Sequence, residues 1–299
     1  MKGILLAGGN GTRLAPLTNV MSKQLLPVYD KPMICYPLAT LMNLNIRDIL
    51  IISTPNDTPR IQDFLKDGSQ FGLNLSYKIQ EEPKGIAQSL IIAEDFIKDD
   101  SVCLILGDNI FYGTEFSGNY DLLKEKTKRL ENGDSGGIIF TYHVSDPERY
   151  GVANLNEDGT KIIDIEEKPK NPKSHYAVTG IYIYDKNAAQ IAKNLQPSAR
   201  GELEITDVNK KYLEAGKLDF IKLKRGFAWL DAGTPDSLLD SATFIQTIEK
   251  RQGLKIACIE EIAYRKGFID KQQFEVVKNL YSKSSFYYQY LSSIENDKE

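Results

Sequence analysis

The chain has 299 residues, 41% of them hydrophobic and 26% charged, with a formal net charge of −4 at pH 7. That length suffices for one large domain with an appendage or small second lobe. The balance of charge gives no overall attraction to nucleic acid, so a small anionic substrate would need a local basic site. Cys35, Cys103 and Cys258 are far apart in apolar surroundings, which suits buried reduced thiols of a cytoplasmic protein better than a disulfide framework or metal cluster. No segment approaches the ~20 apolar residues of a membrane span, and residues 4–7 are too short for a signal-peptide core.

In chain order, short apolar runs alternate with helix-like segments: a strand at 3–6 and a helix at 33–44, then 48–53 and 59–66, 75–79 and 85–97, 102–106 and 120–130. This alternation predicts an α/β fold, a Rossmann-like, mostly parallel sheet flanked by helices, with ligands beyond the carboxyl ends of the strands. From residue 136 the pattern changes to strand-like pieces at 138–144, 151–155, 161–165 and 177–184, read as a continuation of the sheet plus a small substrate-facing subdomain. Helices are predicted at 207–214 and 238–251. The last stretch is an aromatic-rich helical appendage carrying Tyr264, Phe268, Phe274, Tyr281, Phe286, Tyr287, Tyr288 and Tyr290. The domain reading is 1–251 for the main body, with halves of about 1–135 and 136–235, and 252–299 for the appendage.

Three features carry chemistry. After the first strand comes Ala7-Gly8-Gly9-Asn10-Gly11-Thr12-Arg13-Leu14, which fits neither a dinucleotide fingerprint nor a P-loop. Its glycines nevertheless let backbone amides approach a polyphosphate closely, and Arg13 offers a guanidinium fork; the plainer reading is a simple turn. About ten residues on, Lys23 could meet phosphate as a point charge, or be an ordinary exposed lysine. Asp108 ends the apolar strand 102–106 and Asp231 follows Phe227-Ala228-Trp229-Leu230, so two carboxylates could converge on one hard cation such as Mg²⁺; the bland alternative is a cap or turn. The string Gly133-Asp134-Ser135-Gly136-Gly137 matches that around a serine-protease nucleophile, but the only histidines, His143 and His175, come after Ser135, so the residue order is wrong for that triad.

With these in place, the chain resembles the nucleotidyltransferases that make nucleotide sugars, in particular the glucose-1-phosphate thymidylyltransferases. The likeness covers essentially the whole length and rests on "GGNGTRLAPLT" from Gly8, "SKQLLPVYDKPMI" from Ser22, "LGDNIFYG" from Leu106, "YGVA" from Tyr150, "EEKP" from Glu166, "YAVTGIYIYD" from Tyr176, "RGELEITDVN" from Arg200, "GFAWLDAGT" from Gly226 and "ACIEEIAYRKGFI" from Ala257. One departure lies at Gln80-Glu81-Glu82-Pro83-Lys84-Gly85-Ile86-Ala87-Gln88-Ser89, where the family usually has Gln-Pro-x-Pro-Asp-Gly-Leu-Ala-Gln-Ala.

The resemblance implies that dTTP and glucose 1-phosphate give dTDP-glucose and pyrophosphate, as a step toward dTDP-rhamnose and polysaccharide. It implies that Gly8, Gly9, Gly11, Thr12 and Gln24 hold the triphosphate, Arg13 the leaving pyrophosphate, Lys23 the α-phosphate, and Asp108 and Asp231 Mg²⁺. Gln80 and Gly85 would meet the pyrimidine. Tyr150, Gly151, Glu167 and Val178 would line the sugar pocket, and Lys168 and Arg200 would meet the sugar phosphate. It further implies a homotetramer in which the tail serves assembly and binds a regulatory dTDP-sugar; the alternative is that the tail packs on its own subunit. Rival functions are a uridylyltransferase or another sugar-1-phosphate nucleotidyltransferase, and a catalytically inactive nucleotide-sugar sensor.

Overall fold

A computed structural model describes residues 1–9, 11–113, 120–131, 134 and 136–294, with residues 120–124 and 131 described by their backbone alone. Asn10 of the glycine loop, and Gly133 and Ser135 of the protease-like string, lie outside the described residues.

The chain begins with β1 (Lys2–Ala7), β2 (Pro27–Val28), β3 (Lys31–Pro32), α1 (Cys35–Asn43), β4 (Asp48–Ser53), α2 (Thr58–Leu65), β5 (Asn74–Ile79), α3 (Gln88–Ile92), α4 (Glu94–Ile97), β6 (Val102–Leu106), β7 (Asn109–Tyr112) and α5 (Tyr120–Glu131). It continues through β8 (Gly137–His143), β9 (Gly151–Leu155), β10 (Ile162–Glu167), β11 (Tyr176–Tyr184), α6 (Ala188–Lys193), α7 (Ile205–Glu214), β12 (Leu218–Lys222) and β13 (Ala228–Asp231). The last helices are α8 (Pro235–Gln252), α9 (Ile259–Arg265), α10 (Lys271–Lys278) and α11 (Phe286–Ile294).

Nine strands form one sheet, parallel through β6, β1, β4 and β5. Long β11 runs antiparallel to β6 and also pairs with β8 and β9, so the sheet passes without a break from the first half of the domain into the second. Strands buried on both faces read as continuous apolar runs, and alternate residues separate into two cores. Leu5, Ile51, Cys103 and Ile105 face α1 and the C-terminal helices, whereas Ile4, Leu50, Ile52 and Leu104 join Leu90, Ala93, Ala188 and Val208 on the other face. All three cysteines are free and buried.

Most predicted elements appear within one or two residues of their expected ends. The helix expected over 85–97 is instead two short helices meeting at Ala93, and β7 and β12 were not foreseen. Helix α8 starts three residues early because Thr234 and Ser237 form a reciprocal capping box, with Pro235 in the first turn.

The C-terminal helices pack on their own chain. Ile259, Ala263, Phe274, Val277 and Leu291 share a core with Leu38, Leu41 and Phe71, and Tyr264 stacks on Phe274 at 4.6 Å. Tyr281 and Tyr287 donate their hydroxyls to the buried carboxylate of Glu260. Phe286 remains 87% exposed. The appendage therefore completes the domain's main core. Because Phe274 is fully buried, Phe274→Ala should destabilise the protein by about 3–5 kcal/mol in urea unfolding, an effect absent if the tail were only loosely attached.

Candidate active site

Parallel pairing brings the carboxyl ends of β1, β4 and β6 to one edge of the sheet. The glycine loop leaves β1 there. Ser53 Oγ at the end of β4 donates to Ala7 O at 2.9 Å, Gln24 Nε2 donates to Gly8 O at 3.3 Å, and Thr18 Oγ1 donates to Gly11 O at 2.9 Å. Gly9 and Gly11 carry the turn at φ of 96° and 57°, and a 3₁₀ turn at Thr12–Leu14 then presents Arg13. Gln24 is itself buried and receives the Ser22 hydroxyl at 2.5 Å, so it braces the loop from beneath.

The acidic centre is built by two strands. β7 and β13 form an antiparallel ribbon in which Asp231 pairs with Asn109, and Ala232 N donates to Asp108 O at 3.1 Å. Asp108 and Asp231 thereby enter the same cleft, near enough for the Asp108 charge to act on Asp231. Lys23 forms an ion pair with Asp108. Asn109 Nδ2 donates to Asp108 Oδ1 at 3.0 Å, while its Oδ1 accepts from Gly180 N at 3.0 Å and Trp229 Nε1 at 2.6 Å. Those two donors fix which end of the Asn109 amide faces Asp108. A β-carbon at Gly180 would lie 2.4 Å from Asn109 Oδ1, so the irregularity in β11 between Val178 and Tyr182 is where the sheet makes room for this brace.

The two carboxylates differ in charge state. Burial tends to raise the Asp108 pKa, but the Lys23 charge and hydrogen bond, helped by Asn109, overcome it and hold Asp108 below the usual carboxylate range. Asp231 accepts no hydrogen bond among the described residues, and Arg149 Nη2 approaches it only to 3.8 Å. Burial first, and then the Asp108 charge, push its pKa up to about 6 against the opposing pull of Lys23, Arg13 and Arg149. Two neighbouring carboxylates, Asp108 buried and Asp231 partly buried, feel each other's charge, and Lys23 is paired with only one of them. That fits a hard divalent cation; no cluster of three or more ligating side chains is present among the described residues, so other oxygens would complete its shell.

A cleft of about 340 Å³ opens on this centre. Of the residues expected from sequence, it is lined by Gly8, Arg13, Lys23, Gln24, Asp108, Tyr150, Gly151, Glu167, Lys168, Val178 and Asp231. Gly9, Gly11, Thr12, Gln80, Gly85 and Arg200 are not in its lining. At the far wall Thr206 Oγ1 donates to Glu167 Oε2 at 2.5 Å, and Lys168 N donates to Tyr150 O at 3.0 Å. Arg200 is held by Glu204 at 2.9 Å, Glu167 at 3.3 Å and Glu202 at 3.4 Å. Gly85, at φ 102°, sits so close to Leu203 that a β-carbon would lie 2.3 Å from its carbonyl oxygen. Gln80 is buried beside Gly8.

Sequence reasoning missed Arg149, Asn109 and Trp229, all of which line the cleft. Arg149 donates to Asp146 at 2.7 Å and lies over the Tyr150 ring, with Nη2 buried and without a hydrogen-bond partner. Asn109 stands next to Asp108 and Arg149 next to Tyr150, but only the fold shows that their side chains enter the same space.

The profile of the family described as Nucleotidyl transferase matches residues 2–248. The chain is 52% identical over 291 residues to a glucose-1-phosphate thymidylyltransferase of Neisseria meningitidis, covering 97% of this chain and 98% of the relative. It is 56% identical over 273 residues to one from Mycolicibacterium smegmatis, covering 91% and 92%. A Bacillus anthracis crystal structure assigned to the glucose-1-phosphate thymidylyltransferases, in complex with sucrose, superposes with a TM-score of 0.73 at 44% identity, covering 82% of this chain and 94% of that one. A UDP-glucose pyrophosphorylase complexed with UDP-glucose gives 0.69 at 22% identity over 83% and 98%, a likeness of fold alone.

The raised pKa of Asp231 has a consequence for stability. Its contribution is fully present below the unfolded value near 4, and is lost as pH rises through about 6. In chelator at pH 8, Asp231→Asn should therefore melt at a higher temperature than the native protein, by the equivalent of roughly 1–3 kcal/mol. The gap should narrow by about half at pH 5 and close only below about pH 4. An Asn variant no more stable at pH 8 than at pH 5, relative to the native protein, would contradict this charge assignment.

Proposed function

The chain belongs to the nucleotidyl transferase family, among the glucose-1-phosphate thymidylyltransferases, and on that premise we propose that it transfers a thymidylyl group from dTTP to glucose 1-phosphate, giving dTDP-glucose and pyrophosphate. The observation that carries this reading is the meeting, in one cleft, of a glycine loop ending in Arg13, a lysine paired with a buried aspartate, a second under-satisfied aspartate, and a wall of hydroxyl-binding groups. An attacking sugar phosphate is already ionised at neutral pH, so no general base is required. Both histidines, His143 and His175, stack on each other at 5.3 Å and neither lines the cleft.

The work left to the protein is positioning and charge neutralisation. Holding the attacking oxygen, the α-phosphorus and the leaving group in line is worth roughly 7–11 kcal/mol. Gly8, Gly9, Gly11 and Thr12 cradle the triphosphate, with Gln24 fixing the loop's height over the cleft. Arg13 holds the departing pyrophosphate, and the unpartnered Nη2 of Arg149 is available to a phosphate oxygen from the opposite side. Lys23 neutralises charge at the α-phosphate. Asp108 and Asp231 hold Mg²⁺, which when bound polarises phosphate oxygens as a Lewis acid. Gln80 and Gly85 receive the base. Glu167 accepts hydrogen bonds from sugar hydroxyls beside Tyr150, Gly151 and Val178, and Lys168 meets the sugar phosphate. Arg200 reaches that phosphate by leaving its carboxylate partners.

We also propose a cytoplasmic homotetramer that responds to a dTDP-sugar. Exposed Val276, Leu280 and Phe286 on the C-terminal segment offer apolar surface to a second subunit. Among the described residues no helix is long and apolar enough to cross a membrane.

Initial rates of pyrophosphate release with glucose 1-phosphate and dTTP, UTP, ATP or CTP test the function. The fastest turnover is expected with dTTP; preference for UTP would make the protein a uridylyltransferase, and no release with any of them would make it a sensor. Asp108→Asn should lower kcat on the order of 10²–10³-fold while the protein stays folded by circular dichroism. Lys23→Ala should lower kcat more than it raises KM for glucose 1-phosphate, and a pure KM effect would remove it from the transition state.

A further inference from the structure

We infer that Gln88, which is not in the cleft lining, determines which nucleobase the site accepts by locking the orientation of the Gln80 side chain. This rests on the nucleobase role proposed above for Gln80.

The backbone N–H of Lys84 can only donate; it turns toward Glu82 O at 2.9 Å and also donates to the Gln88 side chain at 3.0 Å. The end of the Gln88 amide that meets Lys84 must therefore be its oxygen. That same oxygen contacts the Gln80 amide at 2.8 Å, so the atom of Gln80 turned toward Gln88 must be the nitrogen. The other end of Gln80, its oxygen, is then forced toward Gly8, where a β-carbon would lie 2.4 Å away. Gly8, against which this oxygen stands, lines the cleft, as does Leu6 close to Gly8. Among the described residues Gln80 Oε1 accepts no hydrogen bond, although Gln80 is almost wholly buried.

A fixed chain of two amides thus carries the polarity of one backbone N–H to the edge of the cleft at Gly8. What it presents is an acceptor. Thymine and uracil carry an N–H between their two carbonyl groups and can donate to it. Cytosine carries a lone pair at the same ring nitrogen, which would face the Gln80 oxygen without a proton between them. Were Gln80 free to rotate, its NH₂ group would serve cytosine equally well. Discrimination between the two pyrimidines therefore lies in Gln88 and the 82–84 turn, and Gln88 is a positioning residue.

The test measures kcat/KM for dTTP and for dCTP, at saturating glucose 1-phosphate, in the native protein, Gln88→Met and Gln88→Glu. A carboxylate at 88 still accepts from both Lys84 N–H and Gln80, whereas the thioether fills the space without accepting comparably. Gln88→Met should lower the dTTP to dCTP ratio roughly tenfold or more, the ordinary cost of one mispaired buried polar group, chiefly through KM. Gln88→Glu should keep the native ratio, and melting temperatures establish that both variants are folded. An unchanged ratio in folded Gln88→Met, or equal loss in both variants, would overturn the inference. If the native protein does not turn over dTTP at all, the proposed function fails instead.

Discussion

Two aspartates that would repel each other in isolation are brought into one cleft by the β7–β13 ribbon, and much of the site is organised around that constraint. Like charges in a water-poor setting cannot both be ionised cheaply. Lys23 matches Asp108, and the mismatch falls on Asp231, which has no hydrogen bond among the described residues and a pKa pushed up to about 6. A cleft so arranged is poised to take a cation, and with it a polyphosphate. Asn109 keeps Asp108 in its orientation, and Trp229 and the irregular stretch of β11 keep Asn109 in turn.

The rest of the architecture brings distant segments to this point. Parallel pairing delivers the glycine loop and Asp108 to one edge, because β1 and β6 end together. β11 then joins the two halves through its pairing with β6 on one side and β8 on the other. A rigid sheet thereby fixes the distance between the phosphate end of the cleft and the wall containing Glu167 and Thr206. In-line transfer requires such a fixed span, since small misplacements of reacting groups are costly.

Beyond the cleft, the C-terminal helices cover one face of the same sheet. Their aromatic residues serve first as filling for the domain's own core, with Phe274 and Leu291 packed beneath Glu260 and its tyrosine partners. A partly buried ion cluster ties that segment to the β2–β3 hairpin: Lys31 and Lys255 share Asp30 and Glu249. The hairpin directly follows the 3₁₀ turn Lys23–Leu25 that carries Lys23 and Gln24, and Ile34 N just beyond it donates back to Gln24 O at 2.9 Å. The tail and the phosphate loop are thus parts of one packed body.

The sequence by itself determined the βαβ order, the strands 48–53 and 102–106 to the residue, and the identity of the groups that carry charge into the site. These follow from local causes: apolar runs long enough for a buried strand, glycines where amides must approach an anion, and carboxylates placed just after apolar strands. It left β7 and β12 unread, since each is short and becomes a strand only through its partner, β13 or β8. It also did not disclose Arg149, Asn109 or Trp229 as parts of the cleft, or the commitment of Arg200 to three glutamates. The packing of the tail on its own subunit was left as an alternative. Periodicity records which face of an element is apolar but not which other element will cover it, and hydrogen-bond partners separated by seventy or more residues, such as Asn109 with Gly180 and Trp229, exist only once the sheet has brought them together.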